Sequence, residues 1–309
     1  MPSKRRRELN LTDRFRTRSG AMRSVLHTVE KVLDRDAPIL ILGESGTGKD
    51  FLAEAIHACG SRRDLPFVQI DCPAIPAELF ESELFGYEKG TFTDAQSRKL
   101  GKLEAAMGGT VYFDDISALS PALQAKLLRA IQEKAFTRLG GHQPIQFQAR
   151  VISSSSADLE KLLASGQFRR DLFYRINVVT VQLPALRQRP EDIQPLVSHF
   201  AGRRRKIDPD AMSLLNSHPW PGNIRELRNV VERALLISGD APLTPESLRL
   251  GPGDLVAAAA RGEWTLDQLE ETYIREVLRE TRSNYSKAAE VLGINRKTLL
   301  EKRRKYGIE

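Results

Sequence analysis

The chain has 309 residues, of which 41% are hydrophobic and 28% charged, a balance that suits a globular protein of two or three domains. No apolar run approaches the roughly 18 residues a helical bilayer span needs, and the basic start MPSKRRRELNLTDRF has no apolar segment behind it, so neither a membrane-spanning helix nor a secretory signal is expected. Net charge is +7 and uneven: seven basic and two acidic groups crowd residues 1–20, and six basic and two acidic groups crowd residues 296–309, as suits contact with phosphate backbones.

After a basic tail (1–19), short β-rich runs alternate with helical patterns. PILILG (38–43), PFVQID (66–71), TVYFDD (110–115), ARVISS (149–154) and NVVTVQL (177–183) read as buried strands, with DFLAEAIHACG and PALQAKLLRAIQEK as helices between them. That alternation predicts an α/β fold over 20–185, a parallel sheet with helices on both faces. Strands stop after Pro184, and residues 186–250 read as a small helical subdomain in which WPGN makes the turn before IRELRNVVERALLI. A stretch rich in Pro, Gly and Ala, 251–263, reads as a linker, and 264–309 as an all-α module. Cys59 and Cys72 lie outside metal-ligand spacing and are expected to be reduced core thiols of a cytoplasmic protein.

The first chemical signal is GESGTGKD, in which Gly43, Glu44, Ser45, Gly46, Thr47, Gly48, Lys49 and Asp50 follow a strand and open a helix. Its glycines let backbone N–H groups curl around phosphate oxygens, the helix N-terminus adds positive potential, and Lys49 supplies a charge for the β- and γ-phosphates of ATP. Asp50 stands where a hydroxyl usually meets Mg²⁺. The second signal is an apolar strand ending in two acids: Asp114 is expected to hold Mg²⁺ through its water shell, and Asp115 to polarise the attacking water.

These stretches, together with ESELFGYEKGTFTDA, LQAKLLRAIQE, FRRDLFYRINVVTVQLPALRQRPEDI and WPGNIRELRNVVERA, resemble the central AAA+ domain of sigma-54-dependent transcription activators. NYSKAAEVLGINRKTLLEKRRKYGI resembles their Fis-type helix-turn-helix. The resemblance implies a ring, a hexamer in the family, that hydrolyses ATP between subunits to remodel the closed complex of sigma-54 RNA polymerase. It makes Lys49 the Walker A lysine and Asp114–Asp115 the Walker B pair, offers Arg169 and Arg175 to the neighbouring subunit's nucleotide, and makes Arg225 the arginine of the helical lid. A permanently charged, planar guanidinium supplied in trans makes hydrolysis depend on assembly. Without the resemblance, the lesser alternative for Arg169 and Arg175 is surface ion pairing with Asp171 or Glu191.

The family's surface loop, GAFTGA, contacts sigma-54. Gly90, Thr91, Phe92, Thr93, Asp94 and Ala95 occupy it here, with Thr91 for alanine and Asp94 for the second glycine. Aspartate tolerates a left-handed backbone better than most residues. Three further departures bear on hydrolysis rate rather than on nucleotide binding. Asp115 is shorter than the usual glutamate, Asp71 replaces the asparagine that contacts it and is expected to repel it, and Ser155–Ser156 replace a Thr-Asn pair.

In the terminal module Gly293 separates two helices at helix-turn-helix spacing. Asn295, Arg296, Lys297 and Thr298 open the second helix, where base edges are reached, and Arg303 and Arg304 are placed for phosphates of upstream DNA sites. Leu266, Leu269, Ile274 and Leu278 form either a dimer face or the module's own core. About 20 residues precede the ATPase, so no receiver or sensor domain is expected before it. The resemblance is therefore to members controlled by expression, by a separate inhibitory protein or by a partner in a mixed ring. A competing reading keeps the DNA module and a nucleotide-dependent oligomerising core but dispenses with sigma-54.

Overall fold

The computed structural model describes residues 11–92, 95–202, 205–248, 265–281 and 284–308. The five apolar runs are strands β1 (Ile39–Leu42), β2 (Phe67–Asp71), β5 (Thr110–Asp114), β8 (Arg150–Ser155) and β9 (Val179–Gln182), joined in one parallel sheet of order β2-β5-β8-β1-β9. Two small antiparallel pairs complete the numbering: β3 (Gly86–Tyr87) with β4 (Lys99–Leu100), and β6 (Ala135–Phe136) with β7 (Ile145–Gln146).

Side chains on a strand alternate between faces, so each central strand feeds two apolar layers. Leu40, Val111, Phe113 and Val151 enter one layer with Leu84, Leu127 and Leu172, which come from helices Ala77–Phe85, Pro121–Glu133 and Arg170–Ile176. Ile39, Ile41, Tyr112 and Ile152 enter the other with Leu26 and Ile56 of helices Gly20–Glu30 and Lys49–Cys59. Burial on both faces is why these strands read as continuous apolar runs instead of alternating ones.

The described residues divide between two compact units, one drawn from 1–200 and 222–228, the other from 201–221 and 229–309. Residues 11–19, grouped with the basic tail on composition, are built into the first unit. Leu11 is buried, and the buried carboxylate of Asp192 accepts from the Thr17 hydroxyl (2.8 Å), Arg18 N–H (2.6 Å) and Ser19 N–H (3.0 Å). A charge run cannot reveal this, because the partner lies about 175 positions away.

In the second unit Trp220 is fully buried and its indole N–H donates to Leu215 O (2.9 Å). Helices Leu266–Glu280, Tyr285–Val291 and Arg296–Lys305 enclose a small core of Ile274, Val277, Leu278, Ala288, Ala289 and Leu299. Ile274 and Leu278 therefore serve the module's own interior, whereas Leu266 is 85% exposed. The expected linker at 251–263 lies outside the described residues. Among the described residues no helix is long and apolar enough to cross a membrane.

Candidate active site

β1, β5 and β8 all deliver their carboxyl ends to one edge of the sheet, the edge at which open parallel sheets bind ligands. The loop after β1 takes left-handed backbone at Gly46 (φ 77°) and Gly48 (φ 97°), a conformation costly for any residue with a Cβ. Gly46 has a second reason to be glycine: a Cβ there would sit 2.3 Å from Gly222 O. The turn WPGN is thus more than a helix start, for Ile224 N–H donates to Gly46 O (2.9 Å), and the side-chain amide of Asn223, itself at φ 52°, donates to Ser45 O (3.0 Å) and Glu44 (3.2 Å). Arg225 reaches the same loop, donating to Ser45 Oγ at 2.9 Å.

Lys49 is buried and donates to the carbonyls of Gly43 (2.9 Å) and Glu44 (3.1 Å). Burial pushes its ammonium below the ordinary lysine value, and the charges of Asp115 and Asp114 oppose that shift. Arg187 forms a two-point pair with Glu44 (2.7 and 2.5 Å) that holds this carboxyl below its usual range. Buried Arg189 donates to Thr47 O (2.9 Å) and lies 3.9 Å from Asp192, so the nucleotide loop and residues 17–19 share one polar anchor. Spacing along the sequence gives no signal for Arg187, Arg189, Asp192 or Asn223.

Behind the loop lies a cavity of about 430 Å³ with Phe15, Met22, Phe51, Leu196 and Phe200 on its apolar side and Gly46–Gly48, Asp50 and Arg225 on its polar side. An apolar slot opening on left-handed glycines at a helix N-terminus and on Arg225 fits a nucleoside with its phosphates. Among the described residues no cluster of three acidic, histidine or cysteine ligands stands ready for a metal. Asp114 Oδ1 accepts from the Tyr112 hydroxyl (2.9 Å) and Ser154 Oγ (2.8 Å). Asp115 accepts from Ser117 Oγ (2.6 Å) and Ser156 Oγ (2.5 Å). Asp71, expected to oppose it, has its carboxylate on Ala74 N–H (3.3 Å), capping its own turn. Cys72, whose N–H donates to Asp114 O, has its thiol pushed up by burial, and both cysteines are free.

Arg169 and Arg175 lie on the helix Arg170–Ile176 and its N-cap, and neither contacts the loop of its own chain. Arg169 pairs with Asp171 (3.1 and 2.7 Å), the ion pair that sequence alone allowed, and Arg175 donates weakly to Ile131 O (3.4 Å). The 86–100 hairpin carries Phe92 at its tip, 46% exposed and edge-on to Tyr87 at 4.8 Å between ring centres. Gly90 N–H donates to Ala95 O (2.9 Å), closing the tip, while Thr93 and Asp94 lie outside the described residues. Thr91, the replacement for alanine, directs its hydroxyl at Glu88 O (2.6 Å) and Leu139 O (3.0 Å). Arg138, nearly buried, bridges Glu88 (2.6 Å) and Glu104 (2.5 Å), so the hairpins 86–100 and 135–146 are cross-tied.

In the terminal module Asn284 and Asn295 are N-caps, Asn295 Oδ1 accepting from Thr298 N–H (2.8 Å) and its hydroxyl (3.0 Å). Lys302 pairs with Glu270 (2.5 Å) and Lys305 with Asp267 (2.9 Å), while Arg303 stacks on Tyr285 with its guanidinium 4.7 Å from the ring centre. Arg303 therefore packs on a ring of its own module. Arg296, Lys297 and Arg304 are exposed and make no ion pair among the described residues.

Comparison with known proteins agrees with this geometry. Residues 15–182 match the Sigma-54 interaction domain, 187–252 an AAA+ ATPase lid domain, and 265–306 the Fis family of bacterial regulatory proteins. The transcriptional regulatory protein ZraR of Salmonella typhimurium is 43% identical over 297 residues, covering 92% of this chain and 67% of that protein. The DNA-binding transcriptional regulator NtrC of Rhizobium meliloti is 37% identical over 334 residues, covering 94% and 69%. NtrX from Brucella abortus, solved in complex with ATP, superposes with a TM-score of 0.68 at 36% identity, covering 96% of this chain and 72% of that one. Fold, site and matches converge: the chain belongs to the sigma-54-dependent transcription activators, an AAA+ ATPase joined to a Fis-type DNA-binding module.

Proposed function

We propose that the chain binds ATP with its base in the 430 Å³ cavity and its phosphates over Gly46–Lys49, hydrolyses it in a cytoplasmic ring of six like or mixed subunits, and uses the Phe92 loop to act on sigma-54 RNA polymerase from upstream DNA sites. The observation that carries this reading is the convergence of a buried Lys49, Asp114, Asp115 and Arg225 on one loop, with Arg169 and Arg175 on a helix turned to other business. Lys49 exchanges the carbonyls of Gly43 and Glu44 for phosphate oxygens, and Arg225 leaves Ser45 for the same charge. Asp114 would hold Mg²⁺, which would neutralise phosphate charge when bound. Asp115 accepts the proton of the attacking water. Arg169 and Arg175 complete the neighbouring subunit's site, where fixed positive charge is worth most as phosphate charge develops. Exposed Arg296, Lys297 and Arg304, with the free amide end of Asn295, meet the DNA. Phe92, Thr93 and their loop meet sigma-54.

The test is open-complex formation by sigma-54 polymerase on a promoter carrying the protein's binding site. Hydrolysable ATP is expected to give open complexes and a non-hydrolysable analogue none. Open complexes independent of the protein or of hydrolysis would overturn the reading.

A further inference from the structure

The two acids at the end of β5 are held differently. Asp114 ends a strand, whereas Asp115 has left it for left-handed backbone at φ 53°, ψ 62°. That region is sparsely populated by residues other than glycine and persists where the surroundings over-determine it. Here they do. Ser117 Oγ donates to one carboxylate oxygen of Asp115 (2.6 Å), Ser156 donates its hydroxyl to the other (2.5 Å) and its N–H to the first (3.3 Å), and Asp115's own N–H donates to Ser154 Oγ (2.9 Å).

We infer that Ser117 and Ser156 are positioning residues, a two-hydroxyl clamp that aims the Asp115 carboxylate for ATP hydrolysis. The inference rests on the reading of Asp115 as the base. A shorter acid reaches less far, so its direction must be fixed more tightly to meet the water. Aspartate also suits this backbone, since its short polar side chain bonds locally in the left-handed region. The clamp comes from the residue that follows β8 and from the turn Ile116–Ala118, not from β2, whose Asp71 carboxylate is acceptor-only when ionised and has no proton to give. Each carboxylate oxygen carries about two lone-pair sites; the oxygen that accepts from Ser117 also accepts from the Ser156 N–H, while the other takes the Ser156 hydroxyl and keeps one site for the water. In the step so arranged, a water O–H proton passes to Asp115 as the water oxygen bonds to the γ-phosphorus. The bond from that phosphorus to the bridging oxygen breaks, and ADP departs with the electron pair.

Steady-state ATPase assays of the full chain, with ADP affinity by calorimetry, test the clamp. For the double variant Ser117→Ala/Ser156→Ala we expect kcat to fall by about ten- to hundredfold, with KM and ADP affinity within twofold, because misaiming a reacting group costs rate more than binding. Ser117→Thr, which keeps the hydroxyl, should retain kcat within about threefold. If Asp115→Asn abolishes hydrolysis while the double serine variant keeps the parent kcat, the clamp is wrong and the base stands. If Asp115→Asn still hydrolyses ATP, the base reading itself fails. A double variant that loses ADP binding along with kcat, or a Ser117→Thr variant as slow as the alanine one, would make these serines structural and overturn the inference.

Discussion

The nucleotide loop and the terminal helix both offer cations to phosphate, yet they hold them in opposite ways. Lys49 is buried, bonded to two carbonyls and flanked by two aspartates, and the loop around it is fixed from Asn223, Ile224 and Arg189. Arg296, Lys297 and Arg304 stand in solvent, while their helix is pinned from behind by Glu270, Asp267 and Tyr306. A site that breaks a bond needs one geometry, so its polar groups are tied before the ligand arrives. A surface that follows a duplex backbone needs reach and charge, so only the helix beneath is tied.

The largest effects should come from breaking the tied site. Lys49→Ala is expected to lower ATPase activity by at least about a hundredfold, as loss of a fixed charge on a reacting phosphate does, while DNA binding in a mobility-shift assay persists. Parent-like phosphate release would remove the phosphate role of the loop. Arg169→Ala and Arg175→Ala are expected to fall by up to about a thousandfold in their own rings. Mixing either with Lys49→Ala should recover activity at intermediate ratios, because a mixed interface then pairs an intact loop with an intact arginine. Mixed rings no more active than the sum of their parents would deny the trans role.

Next comes the hairpin. Phe92→Ala is expected to spare ATPase and DNA binding and to abolish open-complex formation, measured as ATP-dependent promoter melting, because the described residues of the tip are tied to Tyr87, Glu88 and Leu139 rather than to the phosphate loop. The recognition helix should give smaller numbers: Arg296→Ala weakens DNA binding by about 1–3 kcal/mol if it reads a base edge, or flattens the salt slope by about one unit if it meets a phosphate. Arg303→Ala, by contrast, should lower the module's thermal stability by about 0.5–1 kcal/mol through the lost Tyr285 stack while changing DNA affinity less than Arg296→Ala does.

The smallest effect concerns pH. Glu44 is held below its usual value by Arg187, so this pair's contribution to stability is fully present above the ordinary glutamate range and is lost as pH falls through the lower folded value. Both side chains are close to half exposed, so solvent screening limits the contribution to about 1 kcal/mol or less. Glu44→Gln should then lie below the parent at neutral pH and converge with it in acid, as read by denaturant melts across pH 3–7.

The sequence by itself determined the strands, the phosphate loop, the paired acids and the terminal helix pair, since each is a local pattern: apolar runs bounded by breakers, glycines at fixed spacing, a basic helix after a glycine turn. Lys49 and Arg225 both bond to the loop after β1, and Phe92 stands 46% exposed at a tip. Tertiary structure alone decided what surrounds them. Gly46 against Gly222, Arg187 on Glu44, Asp192 on residues 17–19, and the serines on Asp115 join positions from 2 to 176 apart whose proximity follows from the fold and not from any period in the chain. It also settled that Arg303 is stacked and Asp71 capped, because whether a charged side chain is free depends on which neighbours the fold brings within about 3 Å, and a composition of charges does not say.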